Sequence, residues 1–474
     1  MSPLLSLPTA AQDPSDAQGT RALDAELVIV GGGPAGLAAA ATASETCDSV
    51  LLIDDNPSLG GQIWRQGNAA APVAAARPWL DAVAAGNVGV LAPATVIDAP
   101  GPGRLIVGPG DGRPEARNVD VTYRRLILAT GATERFLPFP GWTLPGVVGA
   151  GGLQALIKSG LDVEGKRIVI AGSGPLLLAV ADLAKRRGAL VSAIVEQADF
   201  KKVAAFGRHV AVQPKKALQA AAFARSLAGV KKYFATWPVK AYGEDLLESV
   251  ELRRASGESV DVDCDWLACG FGLRPETRLA AALGCAVVDG RVVVDERRQT
   301  TVDGVYCAGE PTGIGGVDAA LLDGRIAGQV AVGRPIRGGL RRRGRRSRRF
   351  VQALDAAYAL RPALRDLPED DTVVCRCEDV PWGRLQAYDQ MRDAKLKTRC
   401  GMGPCQGRVC GGALEILKGF RPETARPPFF PIALSSLASS SAPCGDRAEG
   451  AVPNASQTAA GSPDADDSTL EIEP

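Results

Sequence analysis

Five cysteines crowd into one short stretch in the C-terminal third of the chain. Cys375 and Cys377 form a C-x-C pair, and Cys400, Cys405 and Cys410 follow about 25 residues later. Thiolates are soft ligands that suit iron–sulfur clusters or zinc, and structural zinc sites more often use C-x₂₋₄-C pairs. The pattern therefore favours a [2Fe–2S] cluster, with zinc or no metal as the alternatives.

A glycine-rich turn near the N-terminus has the spacing G-x-G-x-x-G. The turn runs from Gly31 through Gly33 to Gly36 and includes Pro34 and Ala35; an apolar strand precedes it and an Ala-rich helix follows it. Such glycines permit the tight turn, let the backbone approach a pyrophosphate, and let the helix pack close to the strand. Asp54 ends the next strand, where a carboxylate suits ribose hydroxyls. The turn predicts a dinucleotide site.

A second glycine-rich turn follows about 140 residues later and is altered. Gly172 and Gly174 keep the first two glycines, but Leu177 replaces the third, and Glu196 ends the following strand. Leu177 should separate helix and strand, and Glu196 should accept ribose hydroxyls while repelling a 2′-phosphate. Three interpretations stay open: an NAD site, an ADP or ATP site, or a structural remnant.

Repeated strand–turn–helix–strand units predict an α/β protein with two Rossmann-like dinucleotide-binding domains, one inserted in the other, and a small helical [2Fe–2S] domain at the C-terminal end. We place a disordered leader at 1–24, the first domain at 25–150 and 285–335, and the second at 151–284. An Arg-rich linker at 336–370, the cluster domain at 371–425 and a disordered tail at 439–474 complete the prediction. The simpler interpretation of the arginines is a solvated linker, extended or helical, and the alternative is contact with an acidic partner subunit.

Composition narrows the class of protein. The net charge of +1 over 474 residues gives no global case for binding nucleic acid or an anionic membrane. No apolar run is long enough to span a bilayer, and the N-terminus is a poor signal peptide. We expect a cytoplasmic protein without disulfides, associated with a membrane at most through its electron acceptor.

The chain lacks evident acid–base or dithiol chemistry of its own. Neither C-x₄-C after the first unit nor C-x-x-C in the second domain is present, and the one histidine, His209, lies in a Lys-flanked region. A lone histidine is more often structural than catalytic. No catalytic residue is predicted, and a substrate would be oxidised elsewhere.

Two further segments carry a resemblance to known flavoproteins. RLILATGATE ends its strand at Ala129, Thr130 and Gly131, and TVDGVYCAGEPTGIGG ends its strand at Gly309 and Glu310. Both resemble signatures of the two-dinucleotide-binding-domain flavoproteins, in which the second segment usually ends in Gly-Asp. The resemblance implies FAD in the first domain, with Glu310 in place of the aspartate that binds the ribityl chain.

The cysteine module resembles the bacterioferritin-associated-ferredoxin-like [2Fe–2S] domain. That resemblance implies Cys375, Cys377, Cys405 and Cys410 as ligands, with Cys400 as the alternative. The loop GGQIWR adds Gly61, Gln62 and Arg65 to the cofactor-binding residues. Together with the runs CGFGLRPE and TRCGMGPCQGR, it is similar to the FAD/[2Fe–2S] subunit of opine oxidases, hydrogen cyanide synthase and (hydroxy)proline dehydrogenases.

The resemblance implies an oxidoreductase subunit that relays electrons. A partner subunit of the amino-acid-oxidase type would oxidise an amino or imino acid, and electrons would pass through FAD and the cluster to a respiratory acceptor. Two alternatives remain: a self-sufficient NAD(P)H-dependent flavin reductase that uses the second domain, and a redox or iron sensor.

Overall fold

The computed structural model describes residues 21–65, 73–110, 118–420, 425–434 and 437. Most of the predicted leader and all of the predicted tail, 439–474, lie outside these residues. Residues 21–24, which we assigned to the leader, instead extend the first strand.

The first part of the chain builds a sheet with helices packed against it. Its strands and helices are β1 (Arg21–Val30), α1 (Pro34–Ala43), β2 (Val50–Ile53), α2 (Gly61–Trp64), α3 (Arg77–Ala85), β3 (Gly89–Leu91), β4 (Ala94–Gly101), β5 (Arg104–Pro109) and β6 (Val119–Leu128). The order is β3-β2-β1-β6-β5-β4, with β3, β2, β1 and β6 parallel. The inner strands are apolar because both of their faces are buried.

The second unit starts with a short strand that links the two domains. Its elements are β7 (Ala132–Glu134), β8 (Val147–Gly149), α4 (Ala150–Lys158), β9 (Arg167–Gly172), α5 (Leu176–Arg186), β10 (Leu190–Glu196), α6 (Phe200–Ala211), α7 (Pro214–Ser226), β11 (Lys231–Phe234), β12 (Thr236–Tyr242), β13 (Ser249–Arg254), β14 (Ser259–Asp263), β15 (Trp266–Gly270) and β16 (Leu273–Pro275). A parallel sheet has the order β11-β10-β9-β15-β8, and β12, β13 and β14 form an antiparallel sheet beside it. β16 pairs antiparallel with β7.

The chain then returns to the first sheet. The elements are α8 (Arg278–Ala282), β17 (Val287–Val288), β18 (Arg291–Val292), β19 (Val305–Cys307) and α9 (Gly316–Ala331). β19 adds to β6 in parallel register, so the second unit is inserted within the first. α9 packs against α1 so closely that a Cβ at Gly324 would lie 2.0 Å from the Ala35 carbonyl oxygen.

The remaining elements cover the two domains. They are α10 (Gly338–Ala357), β20 (Val373–Cys375), β21 (Val380–Pro381), α11 (Met391–Thr398) and α12 (Cys410–Leu417). The segment predicted as a linker therefore contains a helix of 20 residues. The cysteine module docks on the second domain, where Trp142 Nε1 donates to the Val373 carbonyl at 2.6 Å. Across the described residues, no helix combines the length and apolar character needed to cross a bilayer.

The close approach of α1 and α9 generates a prediction. Gly324→Ala should destabilise the protein by about 1–3 kcal/mol, because the added methyl group meets backbone that cannot move independently. Gly207→Ala is the matched control, since Gly207 lies inside α6 and a Cβ there would have nothing within 4 Å. It should be neutral or stabilising by up to about 1 kcal/mol. Equal losses in chemical denaturation would contradict this packing.

Candidate cofactor sites

The first glycine-rich turn lies where β1 ends and α1 begins. Gly31 has φ of 108°, and a Cβ there would lie 2.2 Å from the Ala129 carbonyl oxygen. A Cβ at Gly36 would lie 1.7 Å from the Gly31 carbonyl oxygen. Only glycine fits either position. Because no side chain lies between α1 and β1 here, the free N–H groups at the start of α1 lie at the carboxyl edge of the sheet.

Asp54 follows β2, and its side chain hydrogen-bonds the backbone of this turn. Its carboxylate accepts a hydrogen bond from Gly32 N–H at 2.5 Å and from Asn56 N–H at 2.9 Å. Burial raises the pKa of Asp54, and the two N–H donors oppose that shift. The carboxylate therefore lies beside the glycine turn, where the sequence predicted it.

The other predicted segments converge on the same edge. Gly60 N–H donates to the Gly32 carbonyl at 2.8 Å, which brings the GGQIWR loop against the turn. A Cβ at Gly61 would lie 2.9 Å from Gly33 Cα, and one at Gly309 would lie 2.8 Å from Ala35 Cβ. Gln62 lies exposed on this loop. Arg65, at its end, donates to the Asn56 side chain.

The end of β6 and the segment after β19 line the rest of the edge. A Cβ at Gly131 would have nothing within 4 Å, and Thr130 Oγ1 donates to the Glu276 carbonyl at 2.8 Å. Burial raises the pKa of Glu310, and within the described residues no donor contacts its carboxylate. Bare glycine backbone, a helix N-terminus and two carboxylates suit the phosphates and hydroxyls of a dinucleotide such as FAD.

A buried ion pair lies beneath Gly309, and the sequence did not predict it. Arg298 and Asp323 meet at 2.5 Å with little solvent exposure, and Asp323 also accepts the Gly309 N–H. The pair ties the turn after β19 to α9. No sequence signal distinguishes these residues from surface charges, because their contact depends on the return of the chain to the first sheet.

The second glycine-rich turn repeats the geometry of the first. Gly172 has φ of 145°, and Glu196 accepts hydrogen bonds from Gly174 N–H at 2.7 Å and Ala198 N–H at 2.8 Å. Burial raises the pKa of Glu196 to about 7. Leu177, in the position of the missing third glycine, is buried in the core of this domain.

A segment of the same chain lies against one side of the second turn. Ser173 Oγ donates to the Tyr358 carbonyl at 3.1 Å, and the fully buried Gln197 donates to the Ala359 carbonyl at 3.2 Å. Arg361 returns hydrogen bonds to the side chain and the carbonyl of Gln197, and its guanidinium pairs with Asp199. Residues 358–361, which follow α10, therefore lie against the end of β10, where Glu196 would meet a ribose.

The cysteine module brings three thiols into one buried group. The sulfur atoms of Cys375, Cys400 and Cys410 lie within 4.8 Å of one another. Cys375 ends β20, Cys410 begins α12, and Cys400 follows α11. Hydrogen bonds from the other two thiols and from the N–H groups of Gly401 and Glu378 lower the pKa of Cys375. Contacts with the Cys375 and Cys400 thiols raise the pKa of Cys410.

Cys377 and Cys405 form a second contact, closer to solvent. The N–H and thiol of Cys405 both interact with Cys377, which is exposed, and Cys405 is half-buried. A Cβ at Gly403 would lie 2.3 Å from Cys377 Cβ, so this loop needs glycine there. The structure thus brings all five cysteines into two neighbouring contacts, and it places Cys400, our alternative ligand, in the buried one.

The thiols of the buried group suit an iron–sulfur cluster better than a hard metal cation. Every member of the buried group is a thiol, and backbone N–H groups already point at Cys375. Soft sulfur ligands with N–H donors around them are typical of iron–sulfur sites. Which four of the five thiols would serve stays a prediction.

Comparisons with known proteins agree with the fold. Residues 25–324 match the family described as pyridine nucleotide-disulphide oxidoreductase. An opine oxidase subunit of Rhizobium meliloti (strain 1021) is 32% identical over 462 residues, covering 87% of this chain and 98% of that protein. Hydrogen cyanide synthase subunit HcnB of Pseudomonas protegens is 32% identical over 436 residues, covering 81% of this chain and 90% of that protein.

A solved structure extends the likeness to nearly the whole chain. L-proline dehydrogenase from P. horikoshii superposes with a TM-score of 0.61 at 20% identity and covers 88% of this chain and 80% of that one. This likeness supports the two-domain α/β fold. The chain therefore belongs to the pyridine nucleotide-disulphide oxidoreductase family and is a flavin-dependent oxidoreductase related to subunits of opine oxidase and hydrogen cyanide synthase.

Proposed function

We propose that this chain is the electron-relay subunit of an enzyme that oxidises an amino or imino acid of the opine, glycine, proline or hydroxyproline class. The observation that carries the proposal is the pairing, in one chain, of a glycine-lined dinucleotide site with a buried group of thiols. A bound flavin accepts two electrons and can release them singly, which a one-electron cluster requires. The final acceptor would be a respiratory carrier.

The first site would hold FAD through backbone and two acids. The turn at Gly31, Gly33, Pro34, Ala35 and Gly36 would present N–H groups to the pyrophosphate. Asp54 would accept the ribose hydroxyls, and Glu310, whose carboxylate finds no donor among the described residues, would accept hydroxyls of the ribityl chain. Gly61, Gln62, Arg65, Ala129, Thr130, Gly131 and Gly309 would complete the lining.

The thiols would hold a [2Fe–2S] cluster as two pairs. Cys375 contacts Cys410 in the buried group, and Cys377 contacts Cys405 nearer the surface. Two thiols for each iron is the arrangement that a [2Fe–2S] cluster with four cysteines needs. Cys400 touches both members of the buried pair and is the alternative to one of them.

A partner subunit would supply the substrate chemistry. The related opine oxidase and hydrogen cyanide synthase proteins are named as subunits, and this chain covers nearly their full length. No group in the described first site offers a histidine or a thiol for acid–base work, since His209 lies exposed on α6. The partner would be a flavoprotein of the amino-acid-oxidase type.

The alternative of a self-sufficient NAD(P)H-dependent reductase depends on the second turn. Residues 358–361 lie against the end of β10 beside Glu196, where they bond Ser173 and Gln197. The arrangement favours a structural role over an NAD, ADP or ATP site at Gly172 and Gly174. The second alternative, a redox or iron sensor, gains no support from a described feature.

The FAD assignment generates a prediction with a matched control. Asp54→Ala should weaken FAD binding by about 10- to 100-fold, because a buried carboxylate that accepts hydrogen bonds from turn and ribose is lost. Asp55→Ala removes the neighbouring exposed carboxylate and should leave FAD affinity unchanged. Flavin fluorescence titration of the apoprotein measures both. Equal affinities for the two variants would remove Asp54 from the site.

The cluster assignment predicts different outcomes for single serine variants. The anaerobically purified protein should contain one FAD with about two irons and two sulfides per chain. Serine at Cys375, Cys377, Cys405 or Cys410 should lower iron and sulfide, while Cys400→Ser and the control Cys47→Ser, in the first domain, retain them.

If the Cys400→Ser variant loses iron and the Cys405→Ser variant keeps it, Cys400 is a ligand in place of Cys405. Iron absent from the unmodified protein, even after anaerobic reconstitution, would exclude the relay. Flavin content serves as the internal control for folding, since the FAD site is built by other elements.

A further inference from the structure

Positive charge is concentrated on one helical surface of an otherwise balanced protein. α6 and α7 each carry three Lys or Arg and no acid, and α10 carries seven Arg and one acid, Asp355. The whole chain has 54 basic and 53 acidic residues. We call the exposed faces of these three helices the basic surface. Positive charge is therefore concentrated on the basic surface, although the net charge of the whole chain is close to zero.

The three helices form one continuous structure. Phe206 of α6 packs against Phe350 of α10, with ring centroids 5.3 Å apart, and Lys216 of α7 lies over the same ring at 4.7 Å. Arg346 donates to the Val212 carbonyl at the end of α6, at 2.7 Å. These contacts join the three helices, and most of their lysines and arginines are exposed.

Few of these charges are neutralised within the chain. Lys216 of α7 pairs with Asp318 at 2.9 Å, and Glu296 alone faces Arg341, Arg345 and Arg348. Asp355 pairs with Arg291, which lies outside the three helices. The three arginines hold the pKa of Glu296 below its usual range. Another set of arginines on α10 is exposed and makes no ion pair with any described residue: Arg342, Arg343 and Arg349.

Apolar side chains stand exposed beside the charges. Val212 is 62% exposed and Leu218 is 74% exposed, at the end of α6 and on α7 respectively. No exposed large apolar side chain lies on α10, so that helix lacks the apolar centre that a stable protein interface usually has. Basic helices with a few protruding apolar residues are typical of peripheral attachment to anionic bilayers.

We propose that the basic surface docks the protein on the anionic headgroups of a lipid bilayer. Arginine side chains of α10 would lie against the phosphates, and Val212 and Leu218 would enter the boundary between headgroups and acyl chains. This attachment needs no membrane-spanning segment, and it is independent of which cofactors the chain binds.

Flotation of the full-length protein with lipid vesicles tests the proposal. We expect binding to vesicles that contain phosphatidylglycerol, little binding to pure phosphatidylcholine, and loss of binding as salt concentration rises. Replacing Arg342, Arg343 and Arg349 by Glu should lower the apparent partition coefficient by at least about 100-fold.

A scattered triple variant serves as the control for net charge. Arg77, Arg187 and Arg384 are exposed, lie outside the basic surface and make no ion pair with a described residue. Changing these three to Glu alters net charge equally and should leave most vesicle binding intact. If the α10 triple Glu variant fails to fold, as judged by circular dichroism, the corresponding triple Gln variant replaces it.

Three results would overturn the proposal. Equal binding to neutral and anionic vesicles would remove the electrostatic basis. Equal loss from the two triple variants would assign the effect to net charge rather than to this surface. Vesicle binding that disappears when a partner subunit copurifies would show that the surface contacts protein instead.

Discussion

Backbone-to-backbone contact at the carboxyl edge of the first sheet is the constraint on which this protein depends. Gly31 lies against the Ala129 carbonyl, Gly36 against the Gly31 carbonyl, and Gly324 against the Ala35 carbonyl, each closer than any side chain allows. These contacts set how near α1 comes to β1 and how near α9 comes to α1. They leave a rim of bare backbone N–H groups beside Asp54 and Glu310, which is a surface suited to a dinucleotide.

The second domain also has a glycine turn beside a carboxylate, but there another segment of the chain lies against the turn. There too a glycine turn rests on a carboxylate, as the hydrogen bond from Gly174 N–H to Glu196 shows. Residues 358–361 lie against this turn, and hydrogen bonds between them and Gln197 hold them at the end of β10. The second turn thus contacts another segment of the chain, which lies between α10 and the cysteine module.

The features that the sequence predicted are those that depend on the spacing of nearby residues. A strand precedes and a helix follows Gly31 and Gly172, as predicted, because glycine spacing and apolar runs specify these elements. The sequence left open whether the arginine-rich segment is extended or helical, because the packing of Phe206 against Phe350 that holds α10 joins distant segments. The sequence could not predict the Arg298–Asp323 pair, the contact of Tyr358 with the second turn or the position of Cys400, because all three depend on contacts between distant segments.

The central claim is that electrons enter this chain from a partner flavoprotein rather than from a pyridine nucleotide bound at the second turn. Anaerobic stopped-flow mixing of the flavin-loaded protein with NADH tests it most directly, with dithionite as the positive control. We predict that flavin absorbance stays unchanged with NADH over the time in which dithionite bleaches it fully. Rapid bleaching that saturates with NADH concentration would contradict the account and make the chain a self-sufficient reductase.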